Sequence, residues 1–106
     1  MPDARPVLRD LARVRSKNAG PFWLTIDLFC DDYDAVAAIP TATFAARLRC
    51  DAAKIRRFDL ADLHVIKFSL PRPVPQGAFH DRDMHGAALG AALEGMRVPD
   101  RGGRPD

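Results

Sequence analysis

The ten residues "PFWLTIDLFC" (21–30) constrain the fold more than any other stretch. Phe22, Leu24, Ile26 and Leu28 alternate with Trp23, Thr25, Asp27 and Phe29, and period-two alternation over this length predicts a half-buried β-strand. The second face carries two large aromatics, Trp23 and Phe29, so it is a candidate for cover by an interface or by an edge contact.

The flanking segments extend the pattern. In "LARVRS" (11–16), Ala12 and Val14 alternate with Arg13 and Arg15, which suits a short strand, while Leu8, Leu11 and Ala12 also fit a helical turn. "DDYDAVAAIP" predicts a short helix capped by Asp31 or Asp32 and stopped by Pro40. "TATFAARLRC" predicts another, capped by Thr41 or Thr43, with Phe44 and Leu48 on one face. "IRRFDL" and "HVIKFSL" are strand-like, and only "ADL" parts them, which predicts a hairpin with Ile66, Phe68 and Leu70 toward the core.

From Met84 to Val98 the residues His85, Ala88, Leu89, Ala92, Leu93 and Met96 recur at helix spacing, after a cap at Asp81 or Asp83. Gly86 and Gly90 fall on another side of that helix. The order strand, strand, helix, strand, strand, helix predicts an α+β fold. It corresponds to a circularly permuted ferredoxin-like arrangement, with helices on one face of an antiparallel sheet.

With 106 residues the chain is long enough for one domain, expected over 7–98 between flexible tails at 1–6 and 99–106. No apolar run approaches about 18 residues, so no membrane span is expected. "MPDARPVLRD" has no apolar signal core, which predicts a cytoplasmic location. Cys30 and Cys50 sit in apolar surroundings and read as buried thiols. The net charge of +2 is too small to imply nucleic acid. The basic run "RLRCDAAKIRR" has no interleaved aromatics for base stacking, and it reads as a solvated helix end.

Two polar segments could carry chemistry. "SKNAG" reads as a loop between the first two strands, where Ser16, Lys17 and Asn18 offer hydroxyl, ammonium and amide donors. Gly20 permits a turn closed to other residues. With Arg15 nearby, this group could hold a carboxylate or phosphate oxygen. "PRPVPQGAFHDRD" (71–83) is long for so small a domain, with Arg72 near its start and a turn expected at Gln76-Gly77. Each segment has a plainer reading: Ser, Asn and Gly favour turns for conformational reasons, and prolines protect a sheet edge. In a ferredoxin-like sheet the two segments are expected to leave from opposite edges. His80, Asp81, Asp83 and His85 match no familiar metal spacing, so no metal and no cofactor are expected.

At these segments the chain resembles a known family. "LARVRSKNAGPFWLTIDLF", "RPVPQGAF" and "DMHGA" are similar to the small proteins of domain-of-unknown-function family 4387, over roughly Leu8 to Val98. Members of that family typically occur beside, or fused to, large AtuA-like (acyclic terpene utilisation) proteins. The opening "LRDLARVRS" also resembles the ferredoxin-fold domain that closes many of those large proteins, where an "RSGDKG"-like loop stands in place of "RSKNAG". The resemblance marks Ser16, Lys17, Asn18, Gly20, Pro21 and Phe22, then Arg72, Pro73, Pro75 and Gly77, then Asp83 and Gly86. This chain departs from it at Ala78, where serine is frequent, and at His85, where an aromatic is common.

The resemblance implies a partner, and with two polar segments too sparse for a full site it leads to an accessory subunit of an AtuA-like large protein, acting on a small organic acid or acyl thioester. Arg15, Ser16, Lys17, Asn18, Gly20, Arg72, Gln76 and Gly77 are its candidate binding residues. Lys17 and Arg72 would hold the anion, Ser16 and Asn18 would orient it, and Lys17 is the candidate catalytic group. Two rivals stand beside it. One is a free-standing homo-oligomeric hydratase or lyase with Lys17 or His80 as base. The other is a non-catalytic module that pairs through Trp23 and Phe29.

Overall fold

The computed structural model describes residues 5–72 and 88–99. A single helical turn, α1 (Leu8–Leu11), leads into β1 (Ala12–Asn18) and β2 (Trp23–Cys30). Two short helices, α2 (Tyr33–Ala37) and α3 (Thr41–Leu48), precede the hairpin β3 (Arg56–Leu60) and β4 (Val65–Pro71), and α4 (Ala88–Glu94) follows. The four strands form one antiparallel sheet in the order β1-β2-β4-β3. The fold is α+β, with an open antiparallel sheet and helices, consistent with a ferredoxin-like fold.

The alternation in β2 explains the core. Leu24, Ile26 and Leu28 are buried and sit level with Leu70, Phe68 and Ile66 on β4. Onto this layer pack Val36 of α2, Phe44, Ala45 and Leu48 of α3, and Leu93 of α4. The rings of Phe44 and Phe68 meet at 4.8 Å between centroids. Burial of apolar side chains, these rings among them, is the dominant favourable contribution to folding. Odd-numbered residues of β1 and β2 lie on the opposite face of the sheet.

Arg57 ties the helices to the edge strand. Its guanidinium donates to the carbonyls of Ile39 (2.6 Å) and Ala37 (3.0 Å), and to Asp59 (2.8 Å). The orphan carbonyls where α2 ends are thereby satisfied.

Several local expectations are resolved or corrected. The first strand begins at Ala12, and Leu8–Leu11 take the helical alternative, with the Asp10 carboxylate accepting from the Val7 amide at 3.0 Å. Phe22 lies outside β2 and is 60% exposed. Asp32, not Asp31, caps α2 by accepting from the Ala35 amide. Neither Thr41 nor Thr43 caps α3; Pro40 occupies that position, its fixed φ of −63° suiting entry to the helix.

The last helix ends at Glu94 rather than Val98, because Arg97 bridges to Val7 and the Val98 amide donates to the Pro6 carbonyl at 2.9 Å. Its expected start at Met84–Gly86 lies outside the described residues. Gly90, whose missing side chain permits the close approach of a neighbour, is buried against β1.

Candidate anion site at one end of the sheet

"SKNAG" is only partly a loop. Ser16, Lys17 and Asn18 are the last residues of β1, and the turn proper runs through 19–22. The Ala19 amide donates to the Trp23 carbonyl at 2.9 Å, and Gly20 has φ +82°, a conformation that favours glycine.

Strand alternation then divides the candidate residues. Ser16 and Asn18 face the helices, while Arg15 and Lys17 leave the sheet on the opposite side. Ser16 packs so closely under α4 that a methyl group on Gly90 would meet its Oγ at 2.5 Å. Lys17 instead shares a row with Thr25 of β2, which sits level with Ser69 of β4.

The expectation that the two polar segments leave from opposite edges is wrong. Strand β4 runs antiparallel to β2, so it ends where the β1–β2 turn begins, one strand away from β1. Pro71 sits level with Trp23, and the Arg72 amide donates to the Phe22 carbonyl at 2.8 Å. The Arg72 guanidinium also donates to the side-chain oxygen of Asn18. One chain therefore brings "RSKNAGPF" and Arg72 together. Gln76 and Gly77 lie outside the described residues, as do His80, Asp81, Asp83 and His85.

Beside Arg72 opens a cleft of about 340 Å³. Among the described residues it is lined by Leu48, Leu70 and Leu89 together with Arg49, Lys54 and Arg72 and one acid, Asp51. Each is placed by a local device. Arg49 follows α3 in a left-handed conformation (φ 56°), which turns the chain out of the helix. Asp51 accepts from the Ala53 amide at 2.9 Å and so starts the turn Ala52–Lys54 that presents Lys54. Arg47 donates to the Ala92 carbonyl at 2.7 Å and holds α4 beside α3.

A lining of three leucines and three cations suits a small anion bearing a hydrocarbon part. Arg49 and Lys54 were not among the candidates, because within "RLRCDAAKIRR" they look like ordinary helix-end charges. No sequence spacing relates them to Arg72.

Both cysteines are free. Burial pushes the Cys30 thiol up from 9.0 to about 11, reinforced by Asp31, Asp32 and Asp59 against an opposing backbone hydrogen bond at Ile66. Cys50, on the cleft wall, is raised by burial and then by Asp51. Neither thiol is disposed to ionise at neutral pH, so neither suits a nucleophile's role. Among the described residues no group of three or more His, Cys, Asp or Glu could hold a metal ion. No described helix is long and apolar enough to cross a membrane.

An α+β domain with an open sheet and a cationic cleft at one end is the class that fold and site define. The family of domains of unknown function DUF4387 matches residues 8–97. That span is most of the chain, and the chain belongs to this family. No curated protein and no solved structure gives a significant match.

Proposed function

We propose that this chain is a cytoplasmic accessory subunit of an AtuA-like large protein, and that it supplies the anion-binding part of a shared site for a small organic acid or acyl thioester. The observation that carries this reading is the cleft lined by Arg49, Lys54 and Arg72 together with Leu48, Leu70 and Leu89. A carboxylate, or the phosphates of a thioester carrier, would take the cations, and a short acyl chain would lie on the leucines. The Arg72 guanidinium is held by its hydrogen bond to Asn18. A planar donor fixed in this way grips a carboxylate with less entropy lost than a free one.

Lys17 projects from the other sheet face, so the holding role proposed for it passes to Arg49 and Lys54. Reaction chemistry is assigned to the large subunit, and this chain binds and positions.

Size-exclusion chromatography with light scattering, alone and mixed with the AtuA-like protein of the same genome, tests the partnership. A stable complex is expected. Calorimetric titration with butyrate and butyryl-coenzyme A tests the site, and binding should weaken about tenfold or more in Arg72→Ala. A homo-oligomer that ignores the large protein would favour the free-standing enzyme. Failure of both probes to bind the chain and the complex would remove the anion site.

A further inference from the structure

The sheet has a second face, and its residues form rows across the strands. Arg13 lies level with Phe29, then Val65 and Leu60; Arg15 with Asp27, then Lys67 and Phe58; Lys17 with Thr25, then Ser69 and Arg56. None of these belongs to the packed core. Trp23, Phe58 and Leu60 are 40%, 48% and 38% exposed, well above the usual state of large apolar side chains.

Three features of the face define what would cover it. Its charge is lopsided: among the described residues Arg13, Arg15, Lys17, Arg56 and Lys67 stand against Asp27 alone. Its aromatics already carry cations, with the Arg13 guanidinium 4.8 Å from the Phe29 ring centroid and that of Arg56 5.8 Å from the Trp23 ring centroid. Its middle holds two shielded oxygens, Thr25 Oγ1 and Asp27 Oδ1, that have no hydrogen-bond partner among the described residues. Buried acceptors without donors are uncommon in folded proteins.

We infer that this face docks an acidic protein surface, one with carboxylates around an apolar centre and a donor for Asp27. Charge complementarity selects that occupant. A second copy of the chain would set the same cations against each other. A nucleic acid strand would lay phosphates over Asp27, and its bases would have to displace the guanidiniums from Phe29 and Trp23. An acidic polypeptide meets the cations at the rim and seats apolar groups on Phe58, Leu60 and Val65. The face is separate from the cleft, so it stands or falls apart from the small anion proposed there.

Trp23 is the chain's single tryptophan and sits on this surface, so its fluorescence reports directly on occupancy. The full chain is titrated with a glutamate–tyrosine copolymer, with polyglutamate and with oligo(dT), each at low and high salt. The expected result is a change in Trp23 emission with both acidic polypeptides, tighter with the tyrosine-bearing one and weakened by salt. The triple variant Arg13→Glu, Arg15→Glu, Lys17→Glu should lose about tenfold or more in affinity. Lys54→Glu, on the cleft, should bind as the parent does. Should the charge-reversed chain fold poorly, the triple glutamine variant must show the same loss. Absence of an emission change, an equal loss in Lys54→Glu, tighter binding of oligo(dT), or a salt-resistant dimer that covers Trp23 would each overturn the inference.

Discussion

The Arg72 guanidinium donates to the side-chain oxygen of Asn18, 54 positions earlier in the chain. That contact joins the end of β4 to the end of β1 across the start of β2, and it tethers a cationic side chain that lines the cleft. Asn18→Ala should therefore weaken butyrate binding by several-fold through loss of orientation. Stability should change by no more than about 1 kcal/mol, the usual net worth of one such hydrogen bond. A double-mutant cycle with Arg72→Ala, read by calorimetry, should show coupling between the two. Fully additive losses would mean that Asn18 does not position Arg72.

Gly90 brings α4 close against Ser16 of β1. Alanine in a helix ordinarily gains up to about 1 kcal/mol over glycine. Here its methyl would lie 2.5 Å from Ser16 Oγ and 3.0 Å from Ser16 Cβ, so α4 must shift. Gly90→Ala should lower stability by about 1–3 kcal/mol, as overpacking does. Ser16→Gly in the same chain should recover part of that loss. Urea denaturation of the two variants reads both effects.

Arg57 is half-buried and donates to two helix-end carbonyls and to Asp59, while its guanidinium lies 5.6 Å from the ring centroid of Phe44. Arg57→Ala leaves those carbonyls unsatisfied and should cost about 2–3 kcal/mol. Arg57→Lys should rescue little, because a single ammonium cannot reproduce the planar fork. A shift of the denaturation midpoint in the lysine variant as large as that in alanine would agree with this geometry.

Alkaline pH should destabilise the domain through Cys30. Its folded pKa stands above the unfolded value, so the folded chain keeps a proton that the unfolded chain releases. This contribution is fully present below about pH 9 and is lost as pH rises from 9.0 toward about 11. The loss is at most about 3 kcal/mol. In Cys30→Ala the fall in stability between pH 9 and 11 should flatten, as followed by thermal melts across that window. An unchanged slope would assign the alkaline loss to other groups.

The sequence by itself determined the strands and their inner faces. Alternation at Leu24, Ile26 and Leu28, and again at Ile66, Phe68 and Leu70, is a local consequence of the pleat, and burial follows it residue by residue. The short spacer 61–63 likewise makes a hairpin legible from neighbours in the chain. The β1 alternation was also visible, yet reading "SKNAG" as a loop hid its consequence: Ser16 and Asn18 face one side, Arg15 and Lys17 the other.

Tertiary structure decided everything that depends on which strand ends lie side by side. Pairing of β2 with β4 puts Arg72 beside Asn18, and packing of α3 and α4 on that end adds Arg49, Lys54 and Leu89 to the same cleft. These residues are far apart in the chain and share no periodicity. Long-range pairing, set by burial of the whole inner face rather than by any local pattern, is what makes them neighbours. Pairing of β1 with β2 lines up Arg13, Arg15 and Lys17 with Phe29, Asp27 and Thr25, and the further pairing with β4 and β3 adds Lys67, Phe58 and Arg56, so that four strands make one charged, aromatic surface.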